Sequence, residues 1–145
     1  FYQAHVNLGS VLKDLGHAEE AEASLRKAIK IKPDFAESHL NLGIILKDLG
    51  KLKEAEISTR NAIRIQPDYP KAHYNLGIIM KDSGDLDNAL NSLNKAIEQN
   101  MDKDMCYIAI GQILLKKGMF VEGLASLKKG EGSVRFDLKN GLSFN

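Results

Sequence analysis

Residues 36 to 69 read AESHLNLGIILKDLGKLKEAEISTRNAIRIQPDY, and the rest of the chain is variations on this stretch. Its first third places Leu42, Ile45, Leu46 and Leu49 at helical spacing and stops at Gly50, a residue suited to a left-handed cap. A second amphipathic run follows, with Ala55, Ala62 and Ile63 on one face, and ends at Pro67, which cannot continue a helix. One block therefore predicts two helices joined by a tight turn.

Moving outward in steps of 34 residues gives four blocks, 2–35, 36–69, 70–103 and 104–137. The first two agree at more than half of their positions, sharing Asn-Leu-Gly, Leu-Lys-Asp-Leu-Gly, Glu-Ala-Glu and Pro-Asp. Gly16, Gly84 and Gly118 repeat the first stop, and Pro33 repeats the second. Asp34, Asp68 and Asp102 precede the next helices as candidate N-caps, and Asp34 with Glu37 has capping-box spacing. Gly9, Gly43, Gly77 and Gly111 sit inside the first helices, where each costs about 0.5 to 1 kcal/mol relative to alanine. A close helix crossing explains them, with Ala21, Ala55 and Ala89 presenting only methyl groups from the second helix.

These residues resemble the tetratricopeptide repeat, a 34-residue helix-turn-helix. The first block holds its signature at Leu8, Gly9, Gly16, Ala21, Leu25, Ala28 and Pro33. The second and third follow closely. In the fourth, Gly123 and Gly130 replace the two alanines and Arg135 the proline, so a terminal repeat with a shorter second helix is expected. The expected fold class is all-α: a solenoid over residues 1–130, with repeats 2–35, 36–69, 70–103 and a degenerate 104–130. The resemblance implies a right-handed superhelix in which first helices line a concave groove for a peptide or a partner's helix. The shared wording is most similar to arrays that precede the catalytic domain in O-linked N-acetylglucosamine transferases, although no transferase domain lies in this sequence.

The resemblance also assigns groove residues. Asn7, Asn41 and Asn75 form a column, and an amide that both donates and accepts can pair with a ligand's backbone whatever its side chain. The same amides can instead bond within the scaffold. Ala109 ends the column. Lys13 with Asp14, Lys47 with Asp48 and Lys81 with Asp82 repeat one charge pair, either orienting a ligand or standing as solvated helix ends. Val6, Leu40, Tyr74 and Ile108, with Ile44 and Ile78, are expected to make an apolar groove floor. The basic clamp by which some family members hold acidic C-termini is missing, because Val6, Ser10, Leu40, Ile44 and Tyr74 fill its positions.

Other functions lack their residues. His5, His39 and His73 recur every 34 residues, but stacked helices hold them about 8 to 10 Å apart, too far to share an ion, so packing roles are expected and no metal or cofactor. Cys106 aligns with Ala4, Ser38 and Ala72 and reads as a packing residue; no nucleophile elbow surrounds Ser58 or Ser92. No catalytic residues are assigned. With 20 basic against 19 acidic residues the net charge is +1, which supplies no field for nucleic acid. The apolar run from Ile108 to Leu115, interrupted by Gly111 and Gln112, is too short to span a membrane. One cysteine makes the cytoplasm the default setting, with the compartment otherwise open.

Phe1 matches Phe35 and Tyr69 at the end of a repeat, so the sequence reads as a piece cut from a longer array. After Gly130 the pattern alternates through Val134, Phe136 and Leu138, turns at Lys139-Asn140-Gly141, and resumes at Leu142 and Phe144. A hairpin is expected over 131–145, with Leu138 opposite Leu142 and Phe136 opposite Phe144. It would cap the solenoid, begin a truncated domain, or mediate self-association, as the solenoid ends also would. The expected function is a protein-interaction scaffold; the alternative is a substrate-selecting module of a larger enzyme.

Overall fold

The computed structural model describes residues 1–130 and the short segments 135–137 and 141–143. Among the described residues eight helices run in sequence: α1 (Tyr2–Asp14), α2 (Ala18–Ile31), α3 (Ala36–Asp48), α4 (Leu52–Ile65), α5 (Pro70–Ser83), α6 (Leu86–Glu98), α7 (Lys103–Lys116) and α8 (Phe120–Gly130). The fold is an all-α solenoid of helix pairs. α8, with 11 residues against 14 in α2 and α4, is the shortened member.

Every first helix stops in the same way. Gly16, Gly50, Gly84 and Gly118 adopt φ between 75° and 90°, a region in which a side chain would be strained. The following amide then donates back across the turn, as His17 does to Leu12 at 2.8 Å and Lys51 to Leu46 at 2.8 Å. This double closure satisfies carbonyls that the helix end would leave bare. α2 and α4 end differently, because Lys32 and Gln66 precede prolines and are driven into extended backbone. Met101 stands at the proline position of the third block, and there Asn100 takes φ 65° and ends α6 instead.

The N-cap expectation holds only once. Asp102 caps α7 by accepting from the amides of Asp104 (2.9 Å) and Met105 (3.4 Å). Asp34 and Asp68 do not cap, since α3 and α5 begin one residue later, after Phe35 and Tyr69. Those rings pack against the cores, Phe35 edge-on to Tyr2 at 5.1 Å, and Phe35 itself holds extended backbone. Lys103 replaces the aromatic before α7, so that helix starts earlier and Asp102 reaches it.

Within each pair, the mid-helix glycine marks a close crossing. A Cβ at Gly9 would lie 2.8 Å from Leu25 Cγ, at Gly77 2.7 Å from Leu93 Cγ, and at Gly43 2.2 Å from Thr59 Oγ1. The crossing is as expected, but the opposing side chain lies one turn beyond the alanine. Ala55 and Ala89 contribute their carbonyls, each 3.2 Å away. Both alanine columns, Ala21, Ala55 and Ala89 with Ala28, Ala62 and Ala96, are fully buried.

Between pairs, α1 touches α3, α3 touches α5 and α5 touches α7, while each of α2, α4 and α6 meets its own first helix and the next. The row whose members approach one another is the inner row of a curved stack. His39 donates from Nε2 to the Pro33 carbonyl at 2.8 Å and His73 to that of Pro67 at 3.1 Å, so these histidines tie each helix to the turn before it. Ser58 donates to the His39 carbonyl at 2.9 Å, and Ser24 to that of His5 at 3.0 Å.

Beyond α8, β1 (Arg135–Asp137) and β2 (Gly141–Ser143) pair antiparallel with Phe136 opposite Leu142. That register departs by two residues from the expected one, which set Leu138 against Leu142. With residues 138–140 between the strands, Asp137 meets Gly141 instead. The shared apolar face and its covering of the solenoid end lie outside the described residues.

Candidate functional site: the face of the first helices

The inner row presents one set of residues per repeat. Asn41, Ile44 and Lys47 of α3 are half-exposed, as are Asn75, Ile78 and Lys81 of α5. Asn7 and Lys13 of α1 are more open, and Asp14, Asp48 and Asp82 are exposed. Neighbouring helices share this face. Ser10 and Lys13 of α1 border one small cleft with Asn41 and Ile44 of α3. Farther along, Lys81 Nζ donates to Gln112 Oε1 of α7 at 2.9 Å.

The three asparagines are not equivalent. Asn75 donates its amide to the Lys71 carbonyl at 2.8 Å, one turn back in its own helix, which leaves its side-chain oxygen to accept. Asn7 accepts from Gln3 Nε2 at 3.2 Å, which leaves its amide to donate. Lys13 and Lys47 reach the neighbouring aspartates Asp14 (3.4 Å) and Asp48 (3.1 Å), short surface pairs of the kind that contribute about 0 to 1 kcal/mol.

The expected apolar floor needs correction. Val6 is 1% exposed and Leu40 3%, so both lie beneath the face rather than on it. Leu40 fills the seam between α3 and the following repeat, against Ala62, Ala72 and Ile63. Val6 belongs to the core shared by α2 and α3. Tyr74 and Ile108 are half-exposed like Ile44 and Ile78, and Tyr74 and Ile78 both pack against the core of the later repeats. The accessible apolar part is carried by Ile44, Tyr74, Ile78 and Ile108.

The outer wall holds a feature the sequence reading missed. A cleft of about 440 Å³ opens between α2 and α4, with Ile29, Leu42, Leu46 and Ile57 among its lining residues, and Arg26 and Glu54 also on it. Arg26 bonds Glu54 at 2.7 Å and Glu22 at 2.8 Å, and Lys51 reaches Glu22 at 2.8 Å, so four charges tie the first repeat to the second. Those bonds hold the Glu22 carboxyl below its ordinary pKa, Lys51 first and Arg26 next, against the opposing effect of burial. A smaller cleft of about 240 Å³ recurs 34 residues on, lined by Arg60, Ile63, Leu76 and Met80. The available signal was Ile57, an exposed isoleucine where the other blocks have Ala23, Asn91 and Ala125.

Cys106 is buried, and burial, helped by Asp102, pushes its thiol up to about 11. It is protonated at neutral pH and unfit as a nucleophile. Among the described residues no group of three or more His, Cys, Asp or Glu could hold a metal ion. No described helix is long and apolar enough to cross a membrane.

Comparison with known proteins decides the family. A TPR repeat model matches residues 9–50, and tetratricopeptide repeat models match residues 36–69 and 70–103. The chain is a tetratricopeptide-repeat protein. Such repeats are typically non-catalytic modules that bind protein partners, and this one is built as a protein-interaction scaffold.

Among solved structures, a crystal structure of MamA is 26% identical with a TM-score of 0.82, over 89% of this chain and 75% of that one. MamA from Desulfovibrio magneticus RS-1 superposes with a TM-score of 0.83 at 17% identity, over 91% and 75%. An O-GlcNAc transferase mutant of Thermobaculum terrenum gives 0.74 at 24% identity, over 78% of this chain and 22% of that one. These last two likenesses are of fold alone. None of the curated proteins compared with the chain matches it.

Proposed function

We propose that the inner row of helices holds an extended segment of another protein, with Asn41 and Asn75 pairing to its backbone and Ile44 and Ile78 receiving its apolar side chains. The observation that carries this reading is the repetition of the same half-exposed trio, asparagine, isoleucine and lysine, on adjacent helices of one face. Packed helices lie about 8 to 10 Å apart and an extended chain advances about 3.3 Å per residue, so each asparagine meets roughly every third residue of the ligand. The free oxygen of Asn75 accepts a ligand amide, and Asn41 can both donate and accept. Lys13, Lys47 and Lys81 flank the path with their aspartates, setting ligand direction more than affinity.

Replacing Asn41 and Asn75 together by alanine removes two hydrogen-bonding groups worth about 0.5 to 1.5 kcal/mol each. The affinity of a bound protein partner, measured by calorimetry, is expected to fall about tenfold. Helicity by circular dichroism is expected to stay unchanged, since neither side chain supports the core. Undiminished affinity with intact helicity would remove the groove assignment.

A second reading, that this array selects partners for a catalytic domain elsewhere in a longer polypeptide, has in its favour the likeness to the transferase, in which the matched region spans about a fifth of that chain. It uses the same face and predicts the same loss on replacing Asn41 and Asn75. The two part on whether the partner is chemically modified after binding, which mass spectrometry of the partner would read.

A further inference from the structure

The cleft between α2 and α4 has a base and a rim of different chemistry. Leu42 and Leu46 form its base, 5% and 1% exposed, and Ile57, 63% exposed, stands on its wall with Ile29. The two buried polar residues that also line it are already satisfied within the scaffold: His39 Nε2 donates to the Pro33 carbonyl, and Ser58 Oγ donates to the His39 carbonyl. At one end of the rim Arg26 and Lys51 are matched by Glu22 and Glu54, two positive charges against two negative. Lys30, one turn beyond Arg26 on α2, is exposed and joins no ion pair among the described residues. The half-exposed Asn61 of α4 lines the same cleft.

The next junction supplies an internal contrast. Its cleft, about 240 Å³, has Asn91 where the first has Ile57 and Asn88 where the first has Glu54. Asn88 turns to Asp85 at 2.8 Å, within its own repeat. Of the two clefts, only the first sets an apolar wall over an apolar base.

We propose that the first cleft binds a small amphipathic carboxylate, an aliphatic acid whose chain lies between Ile29, Leu46 and Ile57 and whose carboxylate pairs with Lys30, with Asn61 donating beside it. Charge selects the acid, because Lys30 is the cation of this rim that no protein carboxylate neutralises. Size selects a small molecule. The volume of about 440 Å³ lies within the ~300 to 1,000 Å³ of small-ligand sites. The Arg26–Glu54 bridge, 2.7 Å long, crosses from α2 to α4, so a polypeptide laid along the cleft would have to break it, whereas a short chain beside Ile57 leaves it intact. A second copy of the chain would find too little to bury, since the exposed apolar wall falls far short of the ~800 Å² per partner that separate molecules cover in a stable complex.

The site lies on the outer wall and is independent of the inner face. Its test is a titration of the 145-residue chain with octanoate, and with octanamide as the uncharged counterpart, read by methyl NMR. Octanoate is expected to give saturable shifts at Ile29, Leu42, Leu46 and Ile57 with a Kd below about 1 mM, an ordinary efficiency for so small a ligand. Ile44 and Ile78 on the inner face, and Ile63 in the second cleft, should not move. Lys30→Gln should weaken octanoate about three- to fivefold, the effect of one exposed ion pair, and leave octanamide unchanged. Ile57→Asn, which copies the second junction, should weaken both ligands at least about fivefold. Both substitutions are at exposed sites, and circular dichroism is expected to show unaltered helicity. Absence of saturable shifts up to about 10 mM octanoate would overturn the proposal, as would equal shifts at Ile44, Ile63 and Ile57 or equal affinity for octanamide. Tighter binding of an acetylated tripeptide ending in leucine would also overturn it, by assigning the cleft to the end of a partner's chain. So would sedimentation of the free chain as a dimer that Ile57→Asn dissociates.

Discussion

α1 and α3 are written in nearly the same letters and stand in opposite surroundings. Both read Asn-Leu-Gly, then two more residues, then Leu-Lys-Asp, yet Leu42 is 5% exposed and Leu8 48%, Ile45 1% and Val11 54%. What buries a residue here is the neighbouring repeat, so stability belongs to the interfaces between pairs as much as to the helices.

That contrast predicts unequal costs for equal changes. Ile45→Ala, at a fully enclosed site, is expected to cost about 2 to 4 kcal/mol in urea unfolding. Val11→Ala, at the same position in α1, should cost less than about 0.5 kcal/mol. Similar losses at both sites would mean that α1 is covered in solution.

Within the pairs the contrast narrows. Gly77→Ala places a Cβ 2.7 Å from Leu93 Cγ and 3.2 Å from the Ala89 carbonyl, so the crossing must open. Overpacking of about 1 to 3 kcal/mol, offset by about 1 kcal/mol from the better helix propensity of alanine, leaves a net loss of up to about 2 kcal/mol. A stabilised variant in thermal unfolding would show that the crossing yields more readily than its geometry indicates.

The smallest expected effect concerns the four charges that join the first repeat to the second. The next junction has Asp85 and Asn88 in place of Lys51 and Glu54 and keeps only the pair of Arg60 with Glu56, within one helix. Because the folded pKa of Glu22 is lowered, its contribution is complete above the ordinary carboxylate pKa of 4.5 and is lost as pH falls through the lower folded value. The wild-type chain should therefore lose slightly more stability than Glu22→Gln between neutral pH and pH values below 4.5. Equal losses in the two proteins would detach the network from stability.

The 34-residue rhythm was legible because the packing itself is periodic: glycine at the crossing, alanine against it and glycine at the turn each answer one steric demand in every block. Where several demands compete at one position, the letters were less informative. Asp34 and Asp68 have a capping residue's chemistry, but the aromatic after each is drawn into the core and moves the helix start. Val6 and Leu40 are apolar on a helix with two apolar seams, and helical periodicity does not say which seam takes them. The strand register depended on loop length, which Lys139-Asn140-Gly141 left open to a shift of two residues. For the groove, the column of asparagines, isoleucines and lysines could be read from the repeat. Their unequal hydrogen bonding could not: Asn7 accepts from the side chain of Gln3, which the other blocks lack, whereas Asn75 turns to the main-chain carbonyl of Lys71, a group every block offers.

The central claim, that partners are held by the inner row of helices, is tested most directly by site-specific photocrosslinking. A photoreactive residue would be placed at Ile44 or Ile78 on the inner face, or at Ile57 on the outer wall, and covalent adducts with a protein partner counted. The account predicts adducts from Ile44 and Ile78 that an excess of unlabelled chain suppresses and that the paired asparagine substitutions reduce, with Ile57 at background. Adducts from Ile57 alone would contradict it and move the binding surface to the outer cleft.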